Sequence, residues 1–562
     1  MKNTADARSV LGLAYAIGLL VSTTQAVYAQ PSKLSPDLRS ATTARDVIVQ
    51  FTVPVSSSTH ANVLTGGGTL KRAHGFVNAA AYHLPAAAIA ALANNPLVRY
   101  ASPDRTVGSS IEYAVPAVNA HIAQQYGWDG SNVGVAVIDS GINVSDADLS
   151  KRVVYSQNFV ANETTTGDLY GHGTHVAGII ASLGNDSACN TCFKQFKGVA
   201  PQAKLINLRV LDKDGKGTDS AVISAIDRAI QLKATYNIRV INLSLGRAIR
   251  ESYTLDPLCQ AAERAWKAGI VVVTSAGNNG RDNSMGTQGY ATISSPANDP
   301  YVITVGAMRD MGTASRGDDL MASYSSKGPT LLDRVVKPDL VAPGNRMVSV
   351  LASSTLLTTR YPDNSVPLSY YKSTGSTALS PDYFWLSGTS MAAPMVSAAA
   401  AAIIEKDPSV TPDTVKARLM KSAHKALPAS SSWTDPDTGI TYRSQYDIFT
   451  VGAGYLDVWA ALNNTDVVSA STNALSPRVQ RSQTGQVTVV GGASVVWGDS
   501  VVWGDSVVWG ANVFVNGTSV VWGDSVVWGD ATMTGFSVVW GDSVVWGDAR
   551  FYSEALSIKG DR

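Results

Sequence analysis

Ser390, His172, Asp139 and Asn278 are the residues of this chain whose types and settings could together carry out acyl transfer. They stand in four short motifs in a fixed order. Val137-Ile138-Asp139-Ser140-Gly141 comes first, and His172-Gly173-Thr174-His175-Val176-Ala177-Gly178 second. Ser275-Ala276-Gly277-Asn278 and Gly388-Thr389-Ser390-Met391-Ala392-Ala393-Pro394 follow. A serine hydroxyl is a poor nucleophile at neutral pH and needs a base to take its proton during attack. An imidazole titrates near neutrality, which suits His172 to that role. A carboxylate such as Asp139 would hold the imidazole in one tautomer and stabilise its protonated form. The Asn278 amide could donate to the oxyanion, together with the backbone N–H of Ser390 at the start of a helix. Each residue also has a plain structural reading: a strand-end aspartate, a helix cap at Ser390, a turn residue at Asn278. His172 and His175, three apart, could face a metal. A zinc enzyme would need a third ligand and an acid, and the His-Glu-x-x-His form is absent.

Such a constellation needs rigid elements to hold it. Short β-branched runs at Val133–Ile138, Lys204–Val210, Val240–Leu245, Ile270–Ser275 and Tyr301–Val305 read as buried strands. Gly173–Leu183, Asp219–Tyr236, Leu258–Ala268 and Thr389–Glu405 read as helices. Continuous apolar strands separated by helices predict a doubly wound α/β fold, its sheet mostly parallel and covered on both faces. In such sheets functional groups collect at the carboxyl ends of strands, where Asp139 and Asn278 fall. The helix after Ser390 is apolar all round, and Pro394 is expected in its first turn, where N–H groups lack helical acceptors.

The order Asp, His, Ser and the four motifs resemble those of the subtilisin family over about residues 108–465. The resemblance implies a serine endopeptidase acting on protein and peptide substrates, with no catalytic cofactor. It also implies that Gly215 and Gly217, with Ser244, Leu245 and Gly246, clamp an extended peptide as an added strand. Ser275, Ala276 and Gly277 would wall the pocket for the side chain before the cut. Asp148, nine residues after Asp139, matches a calcium-binding aspartate of many subtilisins, but the loop that should supply its companions is Gly184-Asn185-Asp186-Ser187-Ala188-Cys189-Asn190-Thr191-Cys192. Residues 30–107, with a β-rich stretch Asp46–Val53, a Gly66-Gly67-Gly68 loop, a helix Pro85–Asn94 and a strand Val98–Ser102, resemble the inhibitory propeptide of these enzymes, a small α+β module cut off by the enzyme itself.

The rest of the sequence sets compartment and limits. Residues 1–29 read as a signal peptide: Lys2 and Arg8, an apolar run Val10–Val21, then Ala26-Val27-Tyr28-Ala29. The run is shorter than the ~20 residues of a membrane span, so the protein is expected to be secreted. A formal net charge of zero argues against nucleic-acid binding. Of three cysteines, Cys189 and Cys192 could close a small loop, or Cys259 could pair with either. Residues 466–562 form an extension in which Ser-Val-Val-Trp-Gly-Asp recurs, holding seven of twelve tryptophans. A Gly every sixth residue, at about 1 kcal/mol each, rules out a helix and predicts short strands and turns. Cell-surface or polysaccharide contact through this tail, in a catalytically silent adhesin, is the rival reading.

Overall fold

The computed structural model describes residues 33–35, 38–39, 42–74, 78–103, 113–284, 286–351, 354–469, 471–481, 487–490, 551–552 and 560–561. The signal-like stretch 1–29, the junction 104–112 and the repeats within 494–549 lie outside the described residues. The chain divides into two compact units, Met1–Val107 and Gly108–Arg562.

The first unit contains β1 (Arg45–Phe51), α1 (Ser57–Leu64), β2 (Thr69–His74), β3 (Ala79–Leu84), α2 (Ala86–Ala91) and β4 (Val98–Pro103). Its strands form one antiparallel sheet in the order β2-β3-β1-β4. Val47, Val49 and Phe51 alternate onto the buried face of β1 and pack with Tyr82, Leu84, Ile89 and Leu92. The sequence pattern captures β1, the helix after Pro85 and β4, but not α1 or the pair β2–β3. Their signal is faint because α1 buries only Thr59 and Val63, and no residue of β2 is buried.

The second unit opens with two short helices, α3 (Ala114–Ala117) and α4 (Ala120–Gln125). Its frame is β5 (Gly134–Asp139), β6 (Val153–Asn158), α5 (His172–Ala181), β7 (Lys204–Arg209), β8 (Lys216–Gly217), α6 (Asp219–Tyr236), β9 (Ile238–Leu243), α7 (Pro257–Lys267), β10 (Val271–Ser275), β11 (Ile303–Arg309), β12 (Leu320–Met321), β13 (Leu340–Pro343) and β14 (Met347–Val350). Then come α8 (Leu356–Arg360), β15 (Ser365–Pro367), β16 (Leu379–Leu386), α9 (Thr389–Lys406), α10 (Pro412–Ser422), the hairpin β17–β18 (Ser430–Thr434, Thr441–Gln445) and α11 (Val458–Asn463). The main sheet runs β12-β11-β10-β9-β5-β7-β6, with β13 also on β11. Every pairing within it is parallel except β11–β12. Every residue of β5 and β10 is buried, as expected of strands covered on both faces. This is the doubly wound α/β architecture anticipated from the alternation of strands and helices. No helix among the described residues is long and apolar enough to cross a membrane.

The packed chain runs on past Thr465, where the sequence pattern places the start of the extension. Asp466 pairs with Lys421, Ala474 N–H donates to Asp413, and Val479 N–H to Arg334 O. Ser476 enters a buried group beneath β11: its hydroxyl lies 2.5 Å from Asp339, whose carboxylate also meets Lys337 at 2.7 Å and Lys416 at 3.4 Å. Two short segments, β19 (Arg478–Arg481) and β20 (Val487–Val490), then pair antiparallel. A last strand, β21 (Phe551–Tyr552), pairs with β8.

Candidate active site

Asp139 is the last residue of β5, Ser244 follows β9, and Asn278 lies three residues beyond β10, so three adjacent strands deliver them to one edge of the sheet. His172 is the first residue of α5. Its Nδ1 donates to Asp139 Oδ1 at 2.7 Å, and both side chains are fully buried. The same oxygen accepts the Ser140 N–H at 2.7 Å. Burial alone would push the imidazole down, but the charge and hydrogen bond of Asp139 outweigh it and hold His172 above its ordinary value. His172 Nε2 and Asp139 Oδ2 are buried with no hydrogen-bond partner among the described residues.

Ser390 is the second residue of α9, and its Oγ donates to Ser244 O at 3.1 Å rather than to His172. Rotation about its single Cα–Cβ bond re-aims the hydroxyl, and such bonds often close only when substrate arrives. Pro394 stands inside α9, past the first turn expected for it. Its missing N–H deprives Ser390 O of the usual donor four residues on. Ser244 Oγ takes that place, donating to Ser390 O at 2.9 Å. The two serines thus hold each other, backbone to side chain in both directions.

Asn278 Oδ1 accepts the Thr389 N–H at 2.9 Å and the Thr389 hydroxyl at 3.1 Å. Fixing the carbonyl branch fixes where the Nδ2 branch points. Gly277 N–H in turn donates to Thr389 Oγ1 at 3.1 Å, so Thr389 ties the strand carrying Asn278 to the helix carrying Ser390. Sequence reasoning overlooked Thr389 because a threonine beside a serine carries no chemical signal of its own.

Asp168 was also missed. It is buried, and Oδ1 accepts Gly171 N–H at 2.7 Å, Tyr170 N–H at 3.2 Å and the Ser140 hydroxyl at 2.9 Å, while Oδ2 accepts Thr174 N–H at 2.8 Å. This carboxylate satisfies orphan donors at the start of α5 and locks Ser140, the neighbour of Asp139, against it. An aspartate four residues before His172 was the available clue. His175 Nε2 donates to Met347 O and Phe384 O, each at 3.1 Å, and burial pushes its imidazole down to about 3. It is a neutral packing residue of α5.

The expected peptide clamps also reach this edge. Gly215 turns into β8, whose Gly217 lies so near Val210 O that a Cβ would stand 2.6 Å from it. Leu245 is fully buried, and Gly246 abuts Ser294, where a Cβ would stand 2.6 Å from its Oγ. Ser275 ends β10, and Ala276 and Gly277 continue toward Asn278.

Asp148 is placed elsewhere, past the far end of α5, about 15 Å along the helix from His172. Its Oδ1 accepts the N–H groups of Asn185 and Asp186, and its Oδ2 accepts Ser182 Oγ at 3.1 Å and Tyr383 OH at 2.8 Å. The single Ser182 hydroxyl hydrogen also faces Phe196 O at 2.7 Å, so this carboxylate is heavily hydrogen-bonded without every lone pair being taken. Asp146 and Asp186 lie within 4.8 Å of it, and burial with mutual repulsion pushes them up to about 7 and about 6. The loop alongside is closed by a Cys189–Cys192 disulfide, and Cys259 remains a buried thiol.

Comparison with known proteins bears on the same region. The chain matches the subtilase family over residues 130–432. It is 37% identical over 348 residues to serine protease AprX of Bacillus subtilis (strain 168), covering 60% of this chain and 70% of that protein. It is 36% identical over 314 residues to subtilisin DY of Bacillus licheniformis, covering 56% and 92%. It is 34% identical over 389 residues to subtilisin E of Bacillus subtilis (strain 168), covering 68% and 86%. The chain therefore belongs to the subtilase family and is a serine-type endopeptidase.

Proposed function

We propose that Ser390 is the nucleophile, His172 its general base, Asp139 the group that orients and charges the imidazole, and Asn278 with the Ser390 N–H the oxyanion donors. The single observation that carries this reading is the buried Asp139–His172 pair at 2.7 Å with Nε2 left without a partner. Ser390 is held at the end of β9, one strand spacing from Asp139 at the end of β5. The hydroxyl would attack the peptide carbonyl while His172 takes its proton, then return it to the leaving amine; water would cleave the acyl-enzyme by the reverse transfers. A peptide would lie between β8 and Ser244–Gly246, held chiefly by backbone hydrogen bonds, so specificity should be broad.

The same reading makes residues 1–29 an export signal, residues 30–107 a self-removed propeptide and the protein secreted. The first unit, with a core of its own and a boundary at Val107, supports the division. Intact mass and casein hydrolysis of the wild-type and Ser390→Ala proteins test it together. The wild type should lose both leading segments and digest casein. Ser390→Ala should keep residues 30–107 and lose about 10⁶ in turnover, the figure known for subtilisin itself and carried over here. Ser390→Ala protein with wild-type turnover would overturn the assignment, and equal masses without residues 30–107 would assign the cut to another protease.

A further inference from the structure

The edge of β8, where a peptide substrate is proposed to add as a strand, is already taken by the chain itself. Phe551 lies opposite Gly217 and Tyr552 opposite Lys216 in an antiparallel pairing, and β8 pairs with no other strand among the described residues. A few residues on, Gly560 and Asp561 are buried in a cradle on the other side of the nucleophile. Arg281 Nη2 donates to Asp561 Oδ1 at 2.7 Å, and Ser323 Oγ to the same oxygen at 2.7 Å. Ser323 N–H donates to Oδ2 at 2.8 Å. Asn345 brackets the backbone of the same residue: its Nδ2 donates to Asp561 O at 3.0 Å, and its Oδ1 accepts Asp561 N–H at 2.8 Å. Gly560, at φ +62°, sits so close that a Cβ would stand 2.3 Å from Ser387 Oγ and 2.6 Å from Asn345 Oδ1.

These anchors flank the catalytic edge. β8 follows β7, whereas Arg281, Ser323 and Asn345 follow β10, β12 and β13, the last two being partners of β11. Between them in the sheet order stand β5 with Asp139 and β9 with Ser244. Four strand spacings from β7 to β11 amount to about 19 Å. The cradle is built from residues three positions after Asn278 and three before Ser390. It meets a carboxylate with a guanidinium, a hydroxyl and a backbone N–H, the charge-assisted set that recognises an acidic side chain.

We propose that β21 (Phe551–Tyr552), added as a strand at β8, and Gly560–Asp561, seated in an aspartate-reading cradle of Arg281, Ser323 and Asn345, take places that a peptide substrate would use and so compete with peptide substrates. The inference rests on the proposed identity of β8 and Ser390 as groove and nucleophile.

The test uses the full processed chain carrying Asp561→Ala, or Gly560→Ala, which keeps the carboxylate but crowds the seat. For a small chromogenic peptide, KM should fall at least about fivefold with kcat within twofold. A synthetic peptide of residues 551–562 should inhibit the Asp561→Ala enzyme competitively. Hydrogen exchange at the amide of Gly217 should quicken in both variants, whereas Gly215 and Lys216, whose N–H groups bond to Asp212, serve as internal controls; this readout does not depend on turnover. If turnover is absent but exchange quickens, the nucleophile assignment fails and the self-docking stands. Unchanged KM with unchanged exchange in both variants overturns the proposal. A fall in kcat and Tm without competitive inhibition by the peptide also overturns it, and makes Asp561 an anchor of the fold only.

Discussion

Two buried charge pairs lie in the same α/β unit and are completed to different degrees. Around Asp339 every polar atom is answered. Its Oδ2 meets Lys337 Nζ and Thr304 N–H, and its Oδ1 meets Ser476 Oγ and Lys416 Nζ. The lysines spend their other donors on Val302 O, Pro300 O and Tyr301 O. Burial would raise the Asp339 carboxyl, but the two ammonium charges hold it below its ordinary value, while burial lowers Lys416 to about 7. Around Asp139 one buried carboxylate oxygen and one buried imidazole nitrogen have no partner among the described residues. A buried polar atom without a partner is costly, so a completed pair serves the fold and an incomplete one marks where a reacting group must come. Lack of a partner alone is not enough: Asp299 and Asp319 also bear unanswered oxygens, and burial pushes both up to about 7, toward the uncharged form. What distinguishes Asp139 is the imidazole beside it and a serine one strand away.

Substitutions that break one pair without the other should separate catalysis from stability. The largest effect is expected from Asp139→Asn, which keeps the shape but reverses the hydrogen-bonding preference toward His172. Turnover should fall by about 10⁴ while the unfolding midpoint stays near wild type. His172 must be neutral to act as base, so activity is lost as pH falls through its raised value; in Asp139→Asn the acid limb of the rate profile should move to lower pH. A variant with an unmoved limb would show that Asp139 does not set the imidazole.

Asp339→Ala is the converse. It removes the carboxylate that keeps the buried Lys337 and Lys416 charged and hydrogen-bonded, driving both toward the neutral amine, and should cost about 3–5 kcal/mol in urea unfolding, with kcat per folded molecule unchanged. A large loss of kcat in a well-folded Asp339→Ala protein would erase the distinction drawn here. The smallest effect is expected at Asn278→Ala, roughly 10²–10³ in kcat with KM little altered, the scale known for this donor in subtilisin itself. Wild-type kcat in that variant would remove Asn278 from the oxyanion site.

The four motifs, the parallel sheet and the strand ends that carry Asp139 and Asn278 were legible because each rests on local pattern: apolar runs for buried strands, and residue types that acyl transfer needs. What escaped was set by long-range contact. The Ser244 hydroxyl replaces a helical hydrogen bond that Pro394 cannot make, 150 residues further along. Thr389 and Asp168 act only through the neighbours they hold. Asp148 meets Tyr383, 235 residues away, a contact that matching its position to a calcium ligand could not reveal.

The Cys189–Cys192 loop beside Asp148 carries a consequence for how the enzyme meets its surroundings. A corner held together by an ion answers to the concentration of that ion, and a chelator or simple dilution loosens it. A corner closed by a covalent sulfur bridge answers also to thiols, which break it by exchange. The oxidising character of the medium therefore acts on this end of the His172 helix, so a reducing cytosol and an oxidising exterior would present the same polypeptide with different versions of that corner.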